Sequence, residues 1–251
     1  MATGPQQKRK DLRDKRIAAE ADAKGSDRRQ NMIKIIGAAA FVAVIGIVVA
    51  IFALSSGSDE PAKSSGDVDS LLAGIPQEGT VLGEPGAKVT VFEFGDLQCP
   101  SCKQASETII PELVSGPVKK GTANLDFQNW AILGEDSVTA ARAALAASLQ
   151  GRMWQFVENF YADQGFENSG YVTDDFLKGI AEKAGVPDID KWEEDRDDPR
   201  WEQALLEIDN RASDLGLSGT PSFAIRGSDG NLEVVPANSA DALIKAINQA
   251  Q

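Results

Sequence analysis

Lys88 to Cys102, KVTVFEFGDLQCPSC, runs a dense apolar stretch straight into a Cys-Pro-Ser-Cys tetrad, and its two cysteines are the only ones in 251 residues. Val89, Val91, Phe92 and Phe94 put β-branched and aromatic side chains at both parities, which predicts a strand buried on both faces. Gly95 and Asp96 end it. Pro100 fits the first turn of a helix, where the missing N–H has no partner to lose, and SCKQASETIIPEL carries enough helix formers to continue from there. Cys99 then stands at a helix N-terminus, where unpaired N–H groups and the positive end of the dipole favour thiolate over thiol. Cys102 lies nearly one turn inside, within bonding reach. An attacking thiolate backed by a resolving thiol is what thiol–disulfide exchange requires.

A bare C-x-x-C equally suits half a zinc site or a small structural loop. The chain has no histidine and no further cysteine to complete a tetrahedral site, which argues against zinc. A disulfide closing so short a loop would constrain little of the unfolded chain. Two other features bear on the chemistry. Glu93 interrupts the apolar strand six positions before Cys99. It is either a strand residue reaching solvent or a buried carboxylate beneath the cysteines, its pKa raised for taking a proton from Cys102. Thr220-Pro221 precedes a short strand, Ser222 to Ile225, so Pro221 is either an edge or turn residue or a cis-proline in a tight turn.

With these residues together, the chain resembles the thioredoxin-fold thiol–disulfide oxidoreductases, most closely the extracytoplasmic DsbA-like branch. The resemblance covers about residues 76–251. It implies that Cys99 is the nucleophile, Cys102 the resolving cysteine, Glu93 the buried acid, and Thr220-Pro221 the cis-proline loop packed against the pair. The gap of 119 residues from Cys102 to Pro221 is the place where DsbA-like members carry an inserted helical domain. The dipeptide between the cysteines is Pro-Ser, where the strongest oxidants of the family have Pro-His, so the resemblance leaves the degree of oxidising power open.

The expected architecture is an α/β thioredoxin-like fold with an inserted helical domain at about 136–216, preceded by one transmembrane helix. Ile35 to Leu54 is twenty residues without a charge, long enough at about 1.5 Å per residue for the roughly 30 Å hydrocarbon core. Residues 1–34 hold ten of the 25 Lys and Arg but five of the 38 Asp and Glu, so they are expected on the cytoplasmic side and the rest outside. A cleaved signal peptide competes with this reading; the long basic segment and the lack of a clean A-x-A site favour an anchor. Residues 55–75, rich in Ser, Gly, Pro and charge, are expected to be a flexible linker. The net charge of −13 combines +5 in residues 1–34 with −18 in the rest of the chain, and so acidic a folded part excludes nucleic acid as partner.

Beyond the motif helix, Ala123 to Ile132 predicts a second strand, parallel to the first in a β-α-β unit. Four helices without intervening strands are expected from Asp136, Met153, Thr173 and Asp198 onward. A hairpin across Gly227–Asn231 and a final helix capped by Ser239 close the chain. Trp154, Phe156, Phe160 and Trp201 are either core or the lining of a substrate groove, and the helical spacing favours core. The acidic run from Glu193 to Asp198 lacks the glycine and ligand order of an EF-hand loop and reads as a solvated face.

Taken with the resemblance, these features imply an anchored extracytoplasmic oxidase forming disulfides in exported proteins, with Cys99–Cys102 as its resting disulfide. A membrane quinone-linked partner is implied by the resemblance alone. No cofactor or metal is expected. A reductase or isomerase of the same fold is the near alternative, and a tethered binding or chaperone module with a structural disulfide is the distant one.

Overall fold

The computed structural model of the chain describes residues 65–236 and 239–251. The basic tail 1–34, the apolar run 35–54 and residues 55–64 of the expected linker lie outside the described residues. Among the described residues no helix is long and apolar enough to cross a membrane.

A six-stranded mixed sheet carries the fold, in the order β1-β2-β4-β3-β5-β6. The strands are β1 (Gln77–Glu78), β2 (Val81–Leu82), β3 (Val89–Gly95), β4 (Ala123–Asn129), β5 (Ser222–Arg226) and β6 (Leu232–Val235). The central strand β3 is buried along its whole length, as its unbroken apolar run requires. It pairs in parallel with β4, Glu93 opposite Phe127 and Gly95 opposite Asn129, and antiparallel with β5, Glu93 opposite Phe223. The expected β-α-β unit is therefore present, with β4 ending three residues before the expected Ile132.

Side chains alternate between the two faces of a strand, and each face of β3 has its own cover. Val89 and Val91 join Leu125, Phe127, Phe223 and Ile225 in the main core. On the other face Phe92, Phe94 and Ala224 pack with Trp130, Ile208 and Ala212. The last two belong to α8 (Arg200–Asp214), which is pinned to the sheet by Trp130 Nε1 donating to Asp209 (3.0 Å) and Arg211 donating to Gln128 (2.9 Å). By the same alternation Glu93 points into the main core.

The main-core face is covered by α2 (Pro100–Thr108), α3 (Ile110–Leu113), α5 (Met153–Ala162) and α9 (Ala240–Gln249). The motif helix does not run on unbroken through Leu113. It breaks at Ile109, because Pro111 enters the next turn without an N–H, and a π-helical turn at Val114–Val118 with Pro117 inside follows.

The insertion holds five helices where four were expected: α4 (Glu135–Ser148), α5, α6 (Asp174–Lys183), α7 (Ile189–Arg196) and α8. The additional helix, α7, runs into the acidic run, where Glu193, Glu194 and Asp197 are exposed as expected of a solvated face and Asp195 is buried. Asp188 caps it by accepting from Lys191 N (2.9 Å), and Trp192 is fully buried, its Nε1 donating to Ala143 O (2.9 Å). Trp154, Phe156, Phe160 and Trp201 are all buried and form core, not a groove. The end of the expected linker is likewise ordered: α1 (Ser65–Leu72) buries Val68 and Leu72 and packs on α5.

Gly95 sets how closely α5 approaches the sheet. A Cβ there would lie 2.8 Å from the Phe127 ring and 3.2 Å from Tyr161 Oη. Gly95→Ala is expected to lower unfolding free energy by about 1–3 kcal/mol through overpacking, measured by chemical denaturation; an unchanged midpoint would show that the helix moves away freely.

Candidate active site

The turn between β3 and α2 is held by a buried carboxylate. Asp96 is 1% exposed. Its Oδ1 accepts from Gln98 N (2.8 Å) and Ser137 Oγ (2.7 Å), its Oδ2 from Ile132 N (2.8 Å) and Leu133 N (3.0 Å). One side chain thus ties together the segments after β3 and β4 and the start of α4. Gln98 extends the network: it donates to Ser137 Oγ (2.9 Å) and accepts from Asn168 N (2.9 Å). Asn168 has φ 53, a left-handed conformation that Asn tolerates. Gln164 Nε2 grips the same turn from the other side through Leu97 O (2.7 Å) and Cys99 O (3.2 Å).

That turn delivers Cys99 to the N-cap of α2 with extended backbone (φ −74, ψ 120) and Pro100 at the first position. Cys99 O accepts from Cys102 N and Lys103 N, both at 3.1 Å, which closes the first helical turn. Both cysteines are free thiols. They are unequal in exposure: Cys99 keeps 8% and Cys102 none.

The helix start separates their acidities. The Cys99 thiol is lowered from 9.0 to about 5, chiefly by hydrogen bonding with the Cys102 thiol; burial opposes this, and Thr220 and the N–H groups of Cys102 and Ser101 add to it. Cys102 is pushed far the other way, by burial first and then by its bond to Cys99, whose negative charge and that of Glu93 add to the effect. Thiolate at one sulfur and thiol at the other is the arrangement that makes one cysteine the attacking group.

Two remote segments complete the site. The Thr220–Pro221 peptide bond is cis, the second of the two readings of Pro221, and Thr220 O accepts from the Cys99 thiol at 3.3 Å across 121 positions of sequence. Glu93 is 2% exposed, so the solvent-reaching reading is excluded, and its Oε1 has no hydrogen-bond partner. Burial, followed by the charge of Glu158, raises its carboxyl from 4.5 to about 8. Cys99, Cys102, Glu93, Thr220 and Pro221 therefore converge as the motifs implied. Asp96, Gln98, Ser137, Gln164 and Asn168 were not singled out from the sequence; a strand-terminal Asp three residues before the motif was the one local hint. Beside the pair lies an apolar hollow lined by Pro100, Gln164, Gly165, Phe166 and Glu167, with Phe166 88% exposed. Among the described residues no group of three or more His, Cys, Asp and Glu side chains is placed to hold a metal.

Known proteins agree with this geometry. Residues 76–248 match the family model described as Thioredoxin. The chain is 28% identical over 224 residues to "Probable disulfide bond formation protein D" of Bacillus cereus, covering 88% of this chain and 98% of that protein. It is 30% identical over 171 residues to the protein of the same name in Bacillus anthracis, covering 67% and 76%. The crystal structure of oxidised BdbD from Bacillus subtilis shares the fold with a TM-score of 0.60, at 23% identity over 70% of this chain and 96% of that one. The chain belongs to the thioredoxin family and, within it, to the DsbA-like thiol–disulfide oxidoreductases.

Proposed function

We propose that this oxidoreductase donates disulfides to exported polypeptides from the outer side of a membrane, where the apolar run 35–54 anchors it. The observation that carries the direction is the split between the cysteines. A thiol held near 5 in the folded protein stabilises the reduced form, and a stabilised reduced form makes the disulfide a strong oxidant. By linkage, that stabilisation is present in full above the ordinary thiol value and is lost as pH falls through about 5.

In the working cycle a substrate thiolate attacks Cys99 Sγ of the Cys99–Cys102 disulfide. The sulfur–sulfur bond breaks, its electron pair leaves on Cys102, and Cys102 takes a proton from Glu93. A second substrate thiolate then attacks the substrate sulfur of the mixed disulfide. The product disulfide departs, and Cys99 is left as the thiolate its surroundings favour. Thr220 O and the Pro221 turn border the reacting sulfur, and the hollow at Pro100 and Phe166 offers apolar contact to an unfolded chain. Two electrons and the one proton on Cys102 must then leave the pair, the proton returning to Glu93, and a membrane quinone-linked partner is the proposed electron acceptor. The name of the Bacillus relatives and the charge asymmetry about residues 35–54 support this setting.

Oxidised full-length protein, given as sole oxidant to a reduced disulfide-dependent polypeptide, should transfer one disulfide per molecule. Cys99→Ser should transfer none; residual transfer by that variant would remove Cys99 from its role. The ultraviolet absorbance of thiolate in the reduced protein should titrate with a midpoint near pH 5. A midpoint in the ordinary thiol range would contradict the proposed direction. After reduction of intact cells with a membrane-impermeant phosphine, a membrane-impermeant thiol reagent should label Cys99, and protection until lysis would refute the outer location.

A further inference from the structure

The hollow beside Cys99 combines an apolar floor with one acid that has no cation. Its outer wall is the strap 164–168 between α5 and α6, which is fastened at both ends to the turn that carries Cys99. Gln164 Nε2 donates to Leu97 O (2.7 Å) and Cys99 O (3.2 Å), and Asn168 N donates to Gln98 Oε1 (2.9 Å). Gly165 between them lies against the Tyr171 ring, where a Cβ would come within 2.8 Å, so the strap packs tightly on its inner side. Phe166 and Glu167 are thereby held beside Pro100, the chain neighbour of Cys99.

Pro100, Gly165 and Phe166 make the floor, and Gln164 has its amide committed to the two carbonyls. Phe166 is 88% exposed, a large ring with its apolar area left for an incoming group. Glu167 is exposed at the edge of the hollow. It accepts only from the neutral Asn168 amide, at 3.5 Å, and among the described residues it has no ion pair. The neighbouring cations are engaged elsewhere: Lys183 pairs with Asp163, and Lys103 is turned to Ala162 O (3.5 Å).

We propose that this hollow is a specificity subsite for a lysine or arginine side chain adjacent to the substrate's reacting cysteine, and that Glu167 is the residue that selects it. This rests on the reading that polypeptide thiolates attack Cys99. Long cationic side chains lay their methylenes along apolar surface and keep the charged head in water. A floor of Pro100 and Phe166 with a carboxylate at its rim matches both halves of such a side chain, and the aromatic face adds attraction for the cation. An acidic neighbour of the cysteine would meet Glu167 and be disfavoured. Thr220 O and the Pro221 turn, which also border the sulfur, carry no charge, so selection by charge falls to the strap.

The test uses oxidised full-length protein and two reduced peptides, X-Cys-X with X either lysine or norleucine. It follows the rate at which each peptide reduces the Cys99–Cys102 disulfide while being oxidised to its own disulfide dimer. The lysine-to-norleucine rate ratio is compared between variants, so the acidity of each peptide thiol cancels. Glu167→Gln should lower that ratio about two- to five-fold at low salt, the size of one exposed ion pair. Glu167→Lys should lower it further, and added salt should lower it more in the wild type than in Glu167→Gln. Phe166→Ala should slow both peptides relative to 2-mercaptoethanol, which has no side chain to seat. Both residues are exposed, so the fold does not depend on them. A ratio unchanged in both Glu167 variants, or peptide rates untouched by Phe166→Ala, overturns the subsite and leaves exchange at Cys99 standing. Failure of the wild-type protein to oxidise either peptide overturns the exchange reading itself, and this inference with it.

Discussion

Four hydrogen bonds converge on the buried carboxylate of Asp96, and the reactive end of the molecule hangs from them. A carboxylate with this many donors is costly to bury and more costly to leave half-paired. It therefore fixes the segments leaving β3 and β4 and the start of α4 in one arrangement. The end of β3 is what aims α2. Because α2 begins where that turn lets it begin, Cys99 falls at the helix N-cap and Cys102 falls inside. The chemistry of the pair is thus set by where a turn is tied down, not by the cysteines alone.

From that placement the unequal sulfurs follow. Cys99 has hydrogen bonds from Cys102, from the first turn of α2 and with the Thr220 side chain, which favour its anion and outweigh burial; its thiol's contact with Thr220 O favours the protonated form. Cys102 has burial and a neighbouring anion, which oppose ionisation. The insertion is part of the same device rather than an ornament on it. Through α5 it supplies Tyr161, through α4 it supplies Ser137, and the loop after α5 supplies Gln164 and Asn168. Every one of these reaches the β3–α2 junction.

What could be read in the sequence was what local covalent rules dictate. An apolar run too dense for an exposed edge marked β3, Gly95 ended it, and Pro100 marked the start of α2. Thr220-Pro221 before a short strand marked the facing turn, though the isomer had to come from the structure. The core positions of Trp154, Phe156, Phe160 and Trp201 were also favoured by spacing. Features set by distant partners were hidden. Asp96 meets Ser137 across 41 positions and Gln98 meets Asn168 across 70, with no periodic pattern to announce either. Helix α7, capped by Asp188, hid within acidic residues because Trp192 is its one buried apolar side chain. The break at Ile109 had a local cause in Pro111 that the helix formers around it masked.

The central claim is that the site stabilises the reduced pair through a Cys99 thiolate and so makes the disulfide an oxidant. The most direct measurement is the reduction potential of Cys99–Cys102 in the full-length protein, by equilibration against glutathione buffers. The account predicts a value near the strong-oxidant end, about −120 mV; a value near about −270 mV, the range of a reductant, would contradict it.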